Sequence, residues 1–96
     1  KLMVITRERV ETLLEMRKAY SEACEHALLM NDASERNIAW EAAYELEDAW
    51  DSEKSQAVES KNLAEWFAWD LIDSFFNVGL ERLIKALNAL DVEVAA

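Results

Sequence analysis

The sequence predicts an all-α fold, a small antiparallel bundle of three to four helices, on three observations. The 96 residues include no Pro and one Gly, so the residues that most often make hairpin turns and break strands are nearly absent. Ala, Leu and Glu, all strong helix formers, dominate the composition. Apolar residues recur at three- and four-residue spacing through most of the chain. The chain is 52% hydrophobic, too rich for a disordered acidic segment, and its length is that of one domain, 1–96, built on one core. Lys1 and Leu2 precede Met3, the natural place for translation to begin, and are set outside the fold as residues left by expression.

The first helix spans about 6–30. Thr6 can cap its first turn, and Ile5 before it can pack on Val10 as a hydrophobic staple. Val10, Leu13, Leu14, Tyr20, Cys24, Ala27 and Leu28 form an apolar stripe that Arg17 interrupts. Arg7, Arg9, Arg17 and Lys18 read as ion pairs along this helix face with Glu8, Glu11 and Glu15.

Asn31-Asp32 is a turn signal, and Asp32 with Glu35 three residues on is a capping-box pattern that opens a second helix over about 33–56. Stepping 100° per residue puts Ile38, Ala39, Ala42, Ala43, Leu46, Ala49 and Trp50 in one arc of about 140°, the expected core face. Glu41, Glu45 and Asp48 fall within about 60° of one another on the opposite side, with Glu59 in line. Trp40, Tyr44, Glu47 and Asp51 stand between these faces.

Residues 51–62 are polar and hold the next connection. A third helix over about 62–78 is apolar almost all round and therefore central. Gly79 predicts a break rather than one straight helix, and Leu80, Leu83, Ile84, Leu87 and Leu90 carry a fourth helix over about 80–91. Residues 92–96 are expected to fray.

Charge divides the chain unevenly. Residues 1–20 carry +2, residues 21–53 carry ten acids against Arg36 alone for −9, and residues 54–96 carry −3. Such a block repels nucleic acid and attracts basic protein surfaces, which excludes direct nucleic-acid binding. The apolar stretch from Leu2 to Ile5 is too short for a signal peptide and no run approaches a membrane span, so a cytoplasmic protein without a membrane partner is expected. One Cys, Cys24, rules out an internal disulfide and reads as a small core residue. One His, His26, reads as solvated or partner-contacting, and with Cys24 it makes no zinc-ligand pattern. One Gly cannot build a phosphate-cradling loop, and no serine sits in a nucleophile-elbow pattern, so no catalytic, cofactor or metal residues are assigned.

What remains is a non-enzymatic acidic interaction protein. Trp40 and Tyr44 are residue types enriched at binding hot spots, and beside Glu41, Glu45, Glu47, Asp48 and Asp51 they form the expected partner-binding set. The partner would be a basic protein surface, in one case that of a nucleic-acid-binding protein whose site a carboxylate array occupies in place of phosphates. That is the logic of small phage and mobile-element inhibitors, a physical analogy and not a family assignment. The alternative is a homodimeric structural or accessory protein whose aromatics serve self-association, with a carboxylate metal-dependent enzyme as a distant third reading.

Overall fold

Short polar side chains set three of the four helix starts. Thr6 Oγ1 accepts from the Arg9 amide at 3.1 Å, Asp32 Oδ2 from the Glu35 amide at 2.9 Å, and Asn62 Oδ1 from the Glu65 amide at 3.2 Å. Each satisfies an N–H that the first helical turn leaves unpaired. The computed structural model describes residues 3–96, so the reading of Lys1 and Leu2 lies outside the described residues. Its elements are β1 (Met3–Thr6), α1 (Arg7–Leu29), α2 (Ala33–Glu59), α3 (Leu63–Phe75), α4 (Leu80–Ala89) and β2 (Val92–Ala95). The helices make up 78% of the described residues, an all-α bundle with a very small sheet added.

The expected break lies at Gly79, but the glycine begins α4 instead of ending α3. Its φ of 93° is a conformation that favours glycine, and its carbonyl accepts from the Leu83 amide at 3.2 Å. α3 has already stopped at Phe75, three residues before its expected end, while α2 runs on to Glu59, past its expected end at 56.

The frayed tail is overturned. Val92 to Ala95 pair in parallel with Met3 to Thr6, in the register Met3 with Val92 and Ile5 with Val94. Alternation puts Ile5 and Val92 in the core, with Met3 and Val94 packed against it, and leaves Val4 and Glu93 exposed. The apolar alternation of Val92 and Val94 is what a core-facing strand requires. The helical composition around it hid this signal, because the partner strand lies at the far end of the described chain.

Cross-helix pairs fix the helix directions. Arg9 donates to Glu65 at 2.9 Å and Arg17 to Asp73 at 3.0 Å, so α3 advances alongside α1. Trp50 meets Asp73 and Lys54 lies 3.9 Å from Asp70, so α2 runs antiparallel to α3. Arg9 also donates to Glu53 of α2. These basic residues were expected to pair along their own helix. Arg7 does so, with Glu11, and also reaches Glu81 of α4, whereas Arg9 and Arg17 tie separate helices together. Hence Arg17 interrupts the apolar stripe because its partner is on α3.

At the centre Trp50 and Trp69 stack with ring centroids 4.9 Å apart, and Trp69 Nε1 donates to the Trp50 carbonyl at 2.7 Å. Trp50 Nε1 and Arg17 Nε both donate to Asp73 Oδ1, at 2.9 and 3.0 Å. Val10, Leu13, Ile72, Leu83, Leu87 and Val92 are the other large side chains fully buried in this core.

The core face of α2 departs from expectation. Of Ile38, Ala39, Ala42, Ala43, Leu46, Ala49 and Trp50, only Ala43 and Trp50 are buried, Ala39 is half-buried and the rest are exposed. The buried row is Ala43, Trp50 and Ala57, at seven-residue spacing, and its centre is turned by about 50° from that of the predicted arc. Apolar periodicity located a stripe, but partners exist only for the row that faces α1 and α3.

Two stability outcomes follow. Asp73→Ala removes the acceptor of a buried indole N–H and the partner of Arg17, and lowers unfolding free energy in urea by about 2 kcal/mol; Asp73→Asn, which keeps an acceptor oxygen, costs roughly half as much. Val92→Ala costs about 2 kcal/mol in the same assay, whereas a frayed tail would register no change.

Candidate interaction surface

Helix lengths create the candidate surface. α1 has 23 residues and α2 has 27, about 35 and 40 Å, against 13 residues and about 20 Å for α3. Asp73 meets Arg17, and the Phe76 ring lies under the Arg17 guanidinium at 4.1 Å, so α3 ends at the level of Arg17. Beyond it α1 and α2 continue as an unaccompanied two-helix arm, roughly residues 21–46. Among the described residues, none between Tyr20 and Trp50 belongs to the core cluster. The molecule is accordingly elongated, 52 × 27 × 18 Å.

The arm is held by small residues and local bonds. Ala27 and Ala43 are fully buried, as close packing of two helices requires. At the tip, Arg36 Nε donates to the Met30 carbonyl at 3.1 Å and its terminal nitrogen donates to the Asn31 carbonyl at 3.2 Å. The single base of the −9 block is thus turned onto the end of α1, where its charge also complements the helix dipole.

The predicted site residues divide into two groups. Glu41, Glu45 and Asp48 are exposed on the side of α2 directly opposite its buried row, an acidic ridge. Trp40 and Tyr44 flank it on the side nearer α3, stacked with centroids 5.9 Å apart; Trp40 is half-buried and Tyr44 is 57% exposed. Glu47 does not belong to the free ridge. It is half-buried and accepts from Tyr20 Oη at 2.7 Å, which fixes the root of the arm. That bond to a carboxylate, with partial burial behind it, pushes the Tyr20 phenol up to about 12.

Asp51 is exposed, yet partial desolvation and then the crowding of Glu47, Asp73 and Asp48 raise its carboxyl above the usual range, with Lys54 opposing. Asp51 is therefore a strained member of the acidic set. Cys24, expected in the core, is half-buried on the arm beyond it, and His26 is exposed as expected.

The sequence reading missed the aliphatic part of this surface. Leu28 is 70% exposed, Leu29 76% and Ile38 68%, and Leu46 is also exposed. Ile38, Ala39 and Ala42 line a largely apolar cleft of about 360 Å³ with His26, Met30 and Glu35. Periodicity places Leu28, Ile38, Ala42 and Leu46 in buried stripes because it reports a face and not what covers it. The available signal was the mismatch between two long helical patterns and a short third one.

Chemically the arm offers carboxylates, aromatic and aliphatic side chains, and among the described residues no group of three or more His, Cys, Asp or Glu side chains converges on a metal-sized site. No described helix is long and apolar enough to cross a membrane.

The strain at Asp51 has a pH signature. A carboxyl raised in the folded state disfavours folding when ionised, and that penalty disappears as pH falls and the group is protonated. Asp51→Asn is expected to raise Tm at pH 7 by about 1–3 °C, discounted for solvent screening, and to leave it unchanged near pH 3. Compared with protein-family models, with curated proteins and with solved structures, the chain matches none.

Proposed function

We propose that this protein is a non-enzymatic interaction module that binds a basic protein surface through the α1–α2 arm. The observation that carries the reading is the coincidence of two features on one projecting element. The segment holding −9 of the net charge includes the arm and its root, and the outward side of that arm sets Glu41, Glu45 and Asp48 between the Trp40–Tyr44 pair and the exposed Ile38, Ala42 and Leu46.

Long-range carboxylate charge would steer a cationic partner and fix its register, while the aromatic and aliphatic flanks would supply desolvated contact. Exposed hydrophobic side chains of this size on a charged arm are costly to solubility and mark interaction sites. The finer reading is that the ridge stands in for a row of phosphates and occupies the site of a nucleic-acid-binding protein. Self-association through the same face is disfavoured by charge, because it would bring two acidic arms together.

Affinity capture with the wild-type chain is expected to recover basic proteins, with recovery falling steeply as ionic strength rises from about 50 to 200 mM. Glu45→Lys combined with Asp48→Lys abolishes capture, and Tyr44→Ala lowers affinity by about 2 kcal/mol, both with unchanged circular dichroism since these residues lie outside the core. Capture indifferent to both the charge reversal and salt would refute the reading.

A further inference from the structure

The face of the arm that continues the path of α3 has an occupant of definable chemistry. Over its own length α3 lies in the trough between α1 and α2, with Arg17 on one wall and Lys54 and Asp51 on the other: Arg17 pairs with Asp73, Lys54 lies beside Asp70 and over the Trp69 ring, and Asp51 feels Asp73. Each wall continues past the end of α3 at regular helical spacing. On α1 the row Arg17, Ser21, Cys24, Leu28 extends to the tip, and on α2 the row Lys54, Asp51, Glu47, Tyr44, Trp40 does the same. The trough beyond Phe76 is therefore lined by Cys24, Leu28, Trp40 and Tyr44, with Ala27 and Ala43 buried between the two helices. Beside that trough, between α1 and the end of α3, Ser21, Glu22 and Glu25 face Phe76 and Asn77 across a cleft of about 330 Å³, with Lys18 at its edge.

We infer that this open half of the trough binds a short cationic amphipathic helix of the partner, which takes up the line of α3 and completes a third layer on the arm. The inference rests on the acidic-arm reading above and specifies how the basic partner engages it. Length, lining and charge agree on this occupant. The overhang runs nine residues on α1 and fourteen on α2, about 14 and 21 Å, which accommodates a helix of about 10–14 residues. The apolar and aromatic lining suits anchors at i, i+3 or i+4, and i+7. The rims carry Glu22 and Glu25 on α1 and Glu41 and Asp48 on α2, and the one base of the arm, Arg36, is bound to loop carbonyls, so a flanking row of Lys or Arg is complementary throughout.

A second copy does not supply that helix from its described residues. Arg7, Arg9 and Arg17 are engaged in ion pairs with carboxylates, and α4, with Arg82 and Lys85, has its Leu83 and Leu87 fully buried in its own core.

The test uses a labelled 14-residue peptide, capped at both ends, with Leu at three- and four-residue spacing and Lys elsewhere, against a scrambled isomer of the same composition. Fluorescence anisotropy at physiological salt is expected to give roughly tenfold or tighter binding to the amphipathic isomer. Leu28→Glu and Tyr44→Glu each add negative charge, yet are expected to remove that preference; both residues are exposed, and thermal melting confirms the fold of each variant. Equal binding of both isomers, lost on reversing Glu45 and Asp48 to Lys, overturns the trough and leaves the acidic-arm reading standing. Binding of neither isomer overturns both. Sedimentation equilibrium showing a dimer that Leu28→Glu dissociates overturns the partner helix in favour of a second copy.

Discussion

The carboxylate of Asp73 holds the architecture together. One oxygen takes both the Trp50 indole N–H and the Arg17 guanidinium, and so joins α2 and α1 to α3 at a single point. Trp50 in turn is stacked on Trp69 and receives the Trp69 N–H on its carbonyl. The buried indole N–H groups of Trp50 and Trp69 each need an acceptor, and the part-buried Asp73 carboxylate and the Trp50 carbonyl supply them. The Phe76 ring under Arg17 closes the group. Everything below this level has three helical layers and the small parallel sheet; everything above it has two.

That boundary explains the distribution of charge. The base of the molecule can use its ions as cross-helix ties: Arg9 lies between Glu53 and Glu65, and the favourable bonds outweigh the desolvation of its guanidinium, which keeps it firmly protonated. The arm has no comparable ties. Its acids project outward, its small residues hold two helices together, and its larger apolar side chains remain uncovered. Two helices alone can bury only one stripe each, so the second apolar edge of α2 has nothing to pack on. Ile38, Leu46 and Tyr44 therefore stand exposed among the carboxylates, beyond the reach of α3.

The termini tell a related story. β1 and β2 join residues about 90 positions apart in the sequence. A two-stranded sheet is marginal by itself, but Ile5 and Val92 reach the same core as Leu13 and Leu87, so the helices supply the support that the strands lack. The sheet therefore ties the two ends of the described chain to the base and leaves the opposite end of the molecule, the arm, free to project.

The sequence by itself determined what is local: the helical class, the caps at Thr6 and Asp32, the break at Gly79, and the acidic ridge of Glu41, Glu45 and Asp48 with Trp40 and Tyr44 beside it. Each depends on groups within a turn or two of one another, where side-chain spacing and backbone preference act directly. Only the tertiary structure decided that Arg9 and Arg17 leave their own helix for Glu53, Glu65 and Asp73, that Glu47 accepts from Tyr20, that Val92 and Val94 form a strand, and that Ile38, Leu46 and Leu28 face outward. These outcomes depend on which elements come together and on how far each extends. The physical reason is that periodicity fixes the direction a side chain takes from its helix, whereas burial requires a second surface at that place, and beyond Phe76 this fold provides none.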